Sequence, residues 1–291
     1  MLEHTVRVDS VRQLQAREEG DPRGHPVFSL HGTPGSRLLH APAAADAAKN
    51  GIRLISFDRP GYGGSTPTPG RKVVDAAKDV AAIADELGLD RFGVWGHSGG
   101  GAPALACAAT LGHRVVAAAC LAGVAPYPAE GLDWLAGTGD FNVEDFQLMV
   151  RDRPAWEAKT ERDRQEMLGW SAAQLREGFS SLCSEVDREA LTDAVVEFFL
   201  RQMKEGIRPG FEGLRDDGLS LTLPWGFDLR QIRVPVQVWH GGQDRFVPVS
   251  HGQWVAARIP NAEAHIDPAE GHVTLLVHRV PEVHRWIASK F

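Results

Sequence analysis

A serine set among glycines is the residue of this chain whose surroundings most clearly indicate chemistry. Residues 96–100 read Gly-His-Ser-Gly-Gly, a G-x-S-x-G pattern that directly follows the apolar run 92–95. A strand that turns sharply into a helix crowds the positions two before and two after the central residue, so glycine is favoured there. Such a turn presents the Ser98 hydroxyl at a sheet edge, beside helix N–H groups. We predict that Ser98 is a nucleophile, although a glycine-rich helix start with an incidental serine would show the same five residues.

A serine hydroxyl attacks poorly until a base takes its proton, and that imidazole needs a carboxylate to hold its tautomer. Asp244 lies in a glycine-flanked turn just after the apolar residues 234–239, and His272 follows Gly271 after the next predicted strand. Asp267 and Glu270 compete for the carboxylate role, but their position in the loop before His272 is readily explained by turn or capping roles. We predict the combination Ser98, His272 and Asp244.

The elements that must position these side chains alternate between strand and helix. Strands are predicted at residues 6–8, 11–17, 26–30, 52–57, 92–95, 115–121, 234–239 and 262–266. Helices are predicted at residues 36–50, with Ser36 as the cap, and at 73–87, 101–111, 250–258 and 273–288. This alternation predicts an α/β fold with a mostly parallel twisted sheet and helices on both faces. Ligands bind such sheets at the carboxyl ends of the strands, and His31, Asp58 and Ser98 all fall just past such ends.

The pattern changes between residues 125 and 224, where no buried strand is evident and consecutive amphipathic helices are predicted. Asn142 is a candidate helix cap, residues 171–174 match a capping box, and residues 187–205 are predicted to form one long helix ended by Gly206. We predict a helical cap at 125–224 inserted into a core formed by 1–124 and 225–291. The four tryptophans in or at the edge of this block are expected to pack the layer and, as a second role, to line a substrate site: Trp134, Trp156, Trp170 and Trp225.

Taken in chain order, these motifs resemble the α/β-hydrolase superfamily, in the branch with a serine nucleophile and a helical cap. The resemblance covers nearly the whole chain outside the cap and rests on five segments: His-Gly-Thr-Pro-Gly at 31–35, Asp-Arg-Pro-Gly-Tyr-Gly-Gly-Ser at 58–65, the Ser98 turn, the Asp244 turn and Gly271-His272. It implies two-step acyl transfer, with His272 acting first as base and then as acid. It also implies an oxyanion hole formed by the backbone N–H groups of Thr33 and Gly99.

This resemblance predicts a serine hydrolase that acts on a small or medium carboxylic ester, thioester or lactone. Family members with the same layout also hydrolyse carbon–carbon bonds, remove N-terminal residues from peptides or form peracids, and some proteins of this fold are small-molecule receptors. Residues 31–37 lack the His-Gly-x-Gly-Pro-Gly form associated with ring-cleavage-product hydrolases, which disfavours the carbon–carbon reaction. The serine at 98 excludes the branches that use an aspartate nucleophile.

Other polar residues near the motifs receive structural interpretations. His31 is expected to fix its own loop, His97 to line or support the site, and Asp58 with Arg59 to pin a turn. His265 alternates with apolar residues in a predicted strand and suits a core or surface position. Three further histidines lie on predicted helix faces and are expected to be solvated: His251, His278 and His284.

Composition limits the partners. The 291 residues carry a formal net charge of -7 and no run of Lys or Arg, which disfavours nucleic acid and anionic membranes and leaves a small-molecule substrate. No His, Asp, Glu or Cys cluster has metal-ligand spacing and no phosphate-binding loop occurs, so no metal or cofactor is predicted. The three cysteines, an odd number, and an N-terminus without an apolar leader favour the cytoplasm. The oligomeric state is left open.

Overall fold

The computed structural model describes residues 1–291 and contains one eight-stranded sheet. Its strands are β1 (Leu2–Arg7), β2 (Gln13–Gly20), β3 (His25–Leu30), β4 (Ile52–Phe57), β5 (Phe92–His97), β6 (Val115–Leu121), β7 (Val236–Gly241) and β8 (Glu263–Asp267). They lie in the order β1-β2-β4-β3-β5-β6-β7-β8. Strand β2 runs antiparallel to both of its neighbours, and all other pairs are parallel. The predicted α/β fold with a mostly parallel sheet is confirmed.

The central strands are buried on both sides because helices cover both faces. Every residue of β5, β6 and β7 is buried, as expected for parallel strands in such a layer. One face packs against α2 (Ala76–Glu86), α3 (Gly101–Thr110) and α10 (Val249–Ala256). The other face packs against α1 (Ala41–Lys49) and α12 (Val280–Ala288). A short helix, α11 (His272–Thr274), precedes α12 and is joined to it by a π-helical turn at Leu275–Arg279.

Six α-helices and no strand lie between β6 and β7. They are α4 (Asp140–Arg151), α5 (Arg153–Gly169), α6 (Ala172–Gly178), α7 (Glu185–Ala190), α8 (Asp193–Ile207) and α9 (Glu212–Leu221), and we refer to them together as the cap. An apolar cluster joins the cap to the core, since Leu175, Val196 and Met203 pack with Tyr62 and Val273. No helix of the structure combines the length and the apolar character that a bilayer crossing requires.

Several predicted element boundaries are wrong, for local reasons. The single helix at 187–205 is two helices, because the Thr192 hydroxyl accepts the N–H of Val195 and starts α8 anew. The helix predicted from Ser36 begins at Ala41, since Arg37 is held in a loop by two hydrogen bonds to the Asp58 carboxylate.

Two smaller differences concern the N-terminal strands and the start of α4. The first two strands lie at Leu2–Arg7 and Gln13–Gly20, so they overlap the predicted ranges 6–8 and 11–17 but have different ends. Asn142 lies inside α4 and donates to the Phe246 carbonyl, so it does not cap that helix. The capping box at Ser171 is confirmed, because its N–H donates to Gln174 Oε1 over 2.9 Å and its hydroxyl accepts the Gln174 N–H over 3.4 Å.

Candidate active site

Ser98 stands at the end of β5 in a backbone conformation that non-glycine residues rarely adopt, with φ of +54°. The surrounding glycines make this turn possible. A Cβ atom at Gly96 would lie 2.0 Å from the carbonyl oxygen of Gly100, and one at Gly100 would lie 2.1 Å from the carbonyl oxygen of Leu30. The crowding that the sequence predicts at these positions is therefore present. The chain then enters α3, and Ser98 lies on the wall of a cavity between core and cap.

The carboxylate of Asp244, just past β7, is fully buried and binds His272. The Nδ1 of His272 donates to Asp244 Oδ2 over 2.7 Å, and the backbone N–H groups of Phe246 and Val247 donate to Oδ1 over 2.9 and 2.8 Å. Burial alone would raise the pKa of Asp244, but the charge of His272 and the hydrogen bonds of His240 and His272 outweigh it, so the pKa lies well below its usual value. A proton on Nδ1 leaves Nε2 of His272 free to accept another proton.

His97 joins the Ser98 turn to the His272 segment. Its Nε2 donates to the backbone carbonyl of His272 over 2.9 Å, and the two rings lie 4.6 Å apart. Burial and the nearby charge of His272 lower the pKa of His97 to about 3, so the ring is neutral. Phe246 stacks on the imidazole of His272 at 4.5 Å. The residue beside Ser98 thus contacts His272 directly, and both Ser98 and His272 line the same cavity.

Thr33 and Gly99 are backbone neighbours on the cavity wall. A Cβ atom at Gly99 would lie 3.2 Å from the backbone nitrogen of Thr33. The carbonyl of the Gly32–Thr33 peptide accepts two hydrogen bonds, from His31 Nδ1 over 2.7 Å and from Arg59 Nη2 over 3.1 Å. Burial and the Arg59 charge lower the pKa of His31 to about 3, so His31 is a neutral support of this loop. The peptide whose N–H is predicted to bind an oxyanion is thereby held in one orientation.

The cavity has a volume of about 410 Å³ and its wall comes from both core and cap. The predicted site residues on this wall are His31, Thr33, His97, Ser98, Gly99, Trp134, Trp170 and His272. Trp156, another of the predicted cap tryptophans, also lines it. Aromatic cap residues that were not predicted line it too: Phe141, Phe146, Phe179, Phe198 and Phe199. No group of three or more His, Cys, Asp or Glu side chains is arranged to hold a metal ion.

Residues 25–279 match the family model described as the alpha/beta hydrolase fold. The chain belongs to this family. Among relatives of this α/β hydrolase, a proline iminopeptidase of Xanthomonas citri is 27% identical, over 92% of this chain and 90% of the relative. A 2-hydroxy-6-oxononadienedioate/2-hydroxy-6-oxononatrienedioate hydrolase of Cupriavidus pinatubonensis is 26% identical, over 76% and 70% of the two chains. An esterase of Exiguobacterium antarcticum has a similar structure, with a TM-score of 0.70 at 19% identity over 98% of this chain and 99% of that one.

The sequence did not reveal that Asp217, on cap helix α9, lies on the cavity wall at the centre of a buried hydrogen-bond cluster. Its carboxylate accepts hydrogen bonds from Arg59 Nη1 (2.6 Å), Arg71 Nη2 (2.6 Å), the Tyr62 hydroxyl (2.7 Å) and the Thr33 hydroxyl (2.5 Å). Burial would raise the pKa of Asp217, but the two arginine charges outweigh it and the pKa lies below its usual value. The charged segment 215–217 is typical of a solvated helix surface. The only sequence signal for this cluster was the motif at 58–65, which contains the partners Arg59 and Tyr62.

A second cap carboxylate, Asp187, was placed by sequence at the start of a long helix and had no predicted role. In the structure it is buried and binds the backbone of the His272 segment.

The prediction that His251 and His284 are solvated is wrong, because both side chains are buried. His251 accepts the N–H of Ala125 and donates to the Trp134 carbonyl, whereas His284 bonds to Asp46 over 2.8 Å. Both histidines lie where a core helix packs on a neighbouring element. Their ring nitrogens therefore form hydrogen bonds with protein groups and not with water.

The two competing carboxylates are held by another partner. Arg279 lies 2.6 Å from Asp267 and 3.0 Å from Glu270, and His278 also lies 3.3 Å from Glu270. Neither acidic side chain accepts a hydrogen bond from the His272 ring, which donates to Asp244 instead. The geometry therefore favours Asp244 over these alternatives.

Proposed function

We propose that this α/β hydrolase cleaves uncharged, apolar carboxylic esters through an acyl-enzyme on Ser98. The hydrogen bond between Asp244 and His272 carries the proposal, because it prepares an imidazole with a free Nε2 on the wall of the cavity that Ser98 also lines. The left-handed turn at Ser98 is the second support for the proposal. It places the hydroxyl next to two main-chain N–H donors, those of Thr33 and Gly99. These are the parts that acyl transfer needs.

In the first step, Ser98 Oγ attacks the ester carbonyl carbon while Nε2 of His272 takes the hydroxyl proton. The tetrahedral oxyanion accepts hydrogen bonds from the N–H groups of Thr33 and Gly99. It collapses, the bond to the alcohol oxygen breaks, and the proton on His272 passes to the departing alcohol. Water then attacks the acyl-enzyme and gives its proton to His272, which returns it to Ser98 Oγ as the carboxylic acid leaves.

The charges of the cavity support an uncharged substrate. A peptidase that recognises a free N-terminus needs a carboxylate available to the ammonium group, whereas every acidic side chain on this wall already has a cationic partner. These pairs are Asp79 with Arg12, Asp145 and Asp163 with Lys159, and Asp217 with Arg59 and Arg71. The two buried arginines are likewise bound to Asp217, so a dicarboxylate would have to displace it. The remaining wall is mostly aromatic and aliphatic, which suits an apolar acyl or alcohol group.

The test compares reaction classes on one enzyme preparation. The panel contains p-nitrophenyl esters from acetate to decanoate, a thioester, a lactone, prolyl p-nitroanilide and a dicarboxylate vinylogous diketone. We expect kcat/KM for a neutral ester to exceed that for the amide and the diketone by on the order of a hundredfold or more. The variant S98A, checked for folding by circular dichroism, should lose ester turnover.

Three results would contradict the proposal. Preference for the prolyl amide or for the diketone would replace the ester assignment with one of those reactions. Ester turnover retained by S98A would remove Ser98 as nucleophile. Tight binding of a panel compound by calorimetry, without turnover of any compound, would indicate a receptor built on the hydrolase fold.

A further inference from the structure

Asp187, a fully buried residue of cap helix α7, directs its carboxylate at the backbone of the core segment that carries His272. Oδ2 accepts the N–H of His272 over 3.0 Å. Oδ1 accepts the N–H of Val273 over 2.8 Å and the N–H of Thr274 over 3.1 Å. These are the three residues of α11, whose N–H groups have no partner within the helix because they begin it. One cap side chain therefore satisfies three core donors that would otherwise be buried without a partner.

The core side of this contact is shaped for the carboxylate. Residue 271, where a capping side chain would ordinarily come from, is glycine, and a Cβ atom there would lie 2.4 Å from each Asp187 carboxylate oxygen. The Gly271 N–H donates instead to the Thr274 hydroxyl over 2.6 Å. On the cap side, the Ser184 hydroxyl lies 3.1 Å from Asp187 Oδ2 and accepts the Asp187 N–H. The carboxylate is thus fixed from its own helix before it meets α11.

We propose that Asp187 is a positioning residue that holds His272 in its catalytic location and makes that location depend on the seated cap. The proposal rests on the proposed function, in which His272 is the acid and base. His272 is held at three points: its ring by Asp244, its carbonyl by His97 and its N–H by Asp187. Of these three interactions, only the hydrogen bond to Asp187 comes from the cap. If α7 lifts away, α11 loses the partner of its first three N–H groups and the imidazole loses one of its supports.

A positioning role has a kinetic signature that simple loss of packing lacks. A misplaced imidazole slows proton transfer in the transition state and leaves ground-state binding of the ester in the cavity nearly intact. The loss should therefore appear in kcat and in the rate of Ser98 phosphonylation by a fluorophosphonate, with KM nearly unchanged.

The experiment uses two variants that disturb the same contact from opposite sides, D187N from the cap and G271A from the core. An asparagine keeps the size of Asp187 but turns an NH₂ group toward N–H donors. An alanine at 271 pushes the carboxylate away, and the φ of -109° at this residue lies outside the left-handed region that favours glycine. We expect each variant to lower kcat by about ten- to a hundredfold, with KM within about threefold of wild type. The double variant should be no slower than the slower single variant, because both remove one interaction.

The control is E161Q, which removes a cap carboxylate that pairs with Arg164 on the surface of α5, outside the cavity. It should keep wild-type kcat. A folded D187N or G271A with wild-type kcat would overturn the proposal, as would additive losses in the double variant or a loss confined to KM. If D187N does not fold, G271A decides alone. An S98A variant that keeps turnover would instead overturn the proposed function, so the two failures are distinguishable.

Discussion

The substitution D244N tests how His272 is prepared for catalysis. One oxygen of Asp244 accepts two backbone N–H groups, from Phe246 and Val247, and the other accepts Nδ1–H of His272. An asparagine has a single acceptor oxygen. The two backbone donors hold that oxygen in place, so the NH₂ group faces His272 and can only donate. The imidazole must then present Nδ1 as an acceptor and carry its proton on Nε2, the nitrogen that has to receive the Ser98 proton.

We expect D244N to lower kcat by about 10³- to 10⁴-fold, equivalent to roughly 4–5.5 kcal/mol of barrier, because the wrong tautomer predominates. Binding of the ester involves neither group, so KM should stay within about threefold. The assay is steady-state hydrolysis of the best p-nitrophenyl ester, with near-UV circular dichroism to confirm folding.

The matched control is D267N, which changes the acidic side chain that pairs with Arg279 in the loop before His272. It should retain kcat within about twofold, because its carboxylate does not bind the His272 ring. A folded D244N with kcat within about tenfold of wild type would refute the tautomer argument. A loss in D267N as large as that in D244N would refute the choice of carboxylate.

Three further predictions concern the oxyanion loop, the cap and a buried carboxylate. R59M removes the guanidinium that donates to the Gly32 carbonyl but leaves Arg71 to balance the charge of Asp217. We expect kcat and the affinity for a trifluoromethyl ketone to fall together by about tenfold. Unchanged inhibition by the ketone would contradict this prediction. W134A removes a ring of the cavity wall that stacks on Phe146 at 4.4 Å, so the acyl chain of the preferred ester should become longer. The control W286A changes a tryptophan outside the cavity and should keep the wild-type preference for ester chain length. Burial raises the pKa of Asp79 to about 6. Between about pH 4 and 6 the native state therefore keeps a proton on Asp79 that the unfolded state has released. As the pH rises through that window, the free energy of unfolding should fall by about 2–3 kcal/mol. D79N should lose this pH dependence in urea unfolding, and an unchanged dependence would show that another group causes it.

The positions of Ser98, Asp244 and His272 could be predicted because each signal is local. A buried strand ends, small residues allow a tight turn, and a reactive side chain follows within a few residues. Parallel topology then brings distant strand ends to one edge of the sheet, so spatial proximity follows from the order of elements. The Ser98 turn shows this best, because the glycines at 96 and 100 are required by backbone contacts that any such turn would contain.

The cap contacts could not be predicted in this way. Asp187 and Asp217 lie on short helices with charged neighbours, a pattern that is typical of solvated surfaces. Their burial depends on how α7 and α9 dock on the core, and their partners are backbone groups or arginines far away in the sequence. The break between α7 and α8 was missed for a related reason, since Thr192 acts as a cap inside a pattern that remains periodic on both sides. His251 and His284 likewise owe their burial to packing between elements.

Mapping the residue that a fluorophosphonate labels tests the central claim most directly. Ser98 is the group predicted to attack and His272 the base that activates it, so peptide mass spectrometry should find the phosphonyl group on Ser98. The label should be absent in S98A and should form more slowly in H272A, by about a thousandfold. A label on another residue, or a labelling rate unaffected by H272A, would contradict the account.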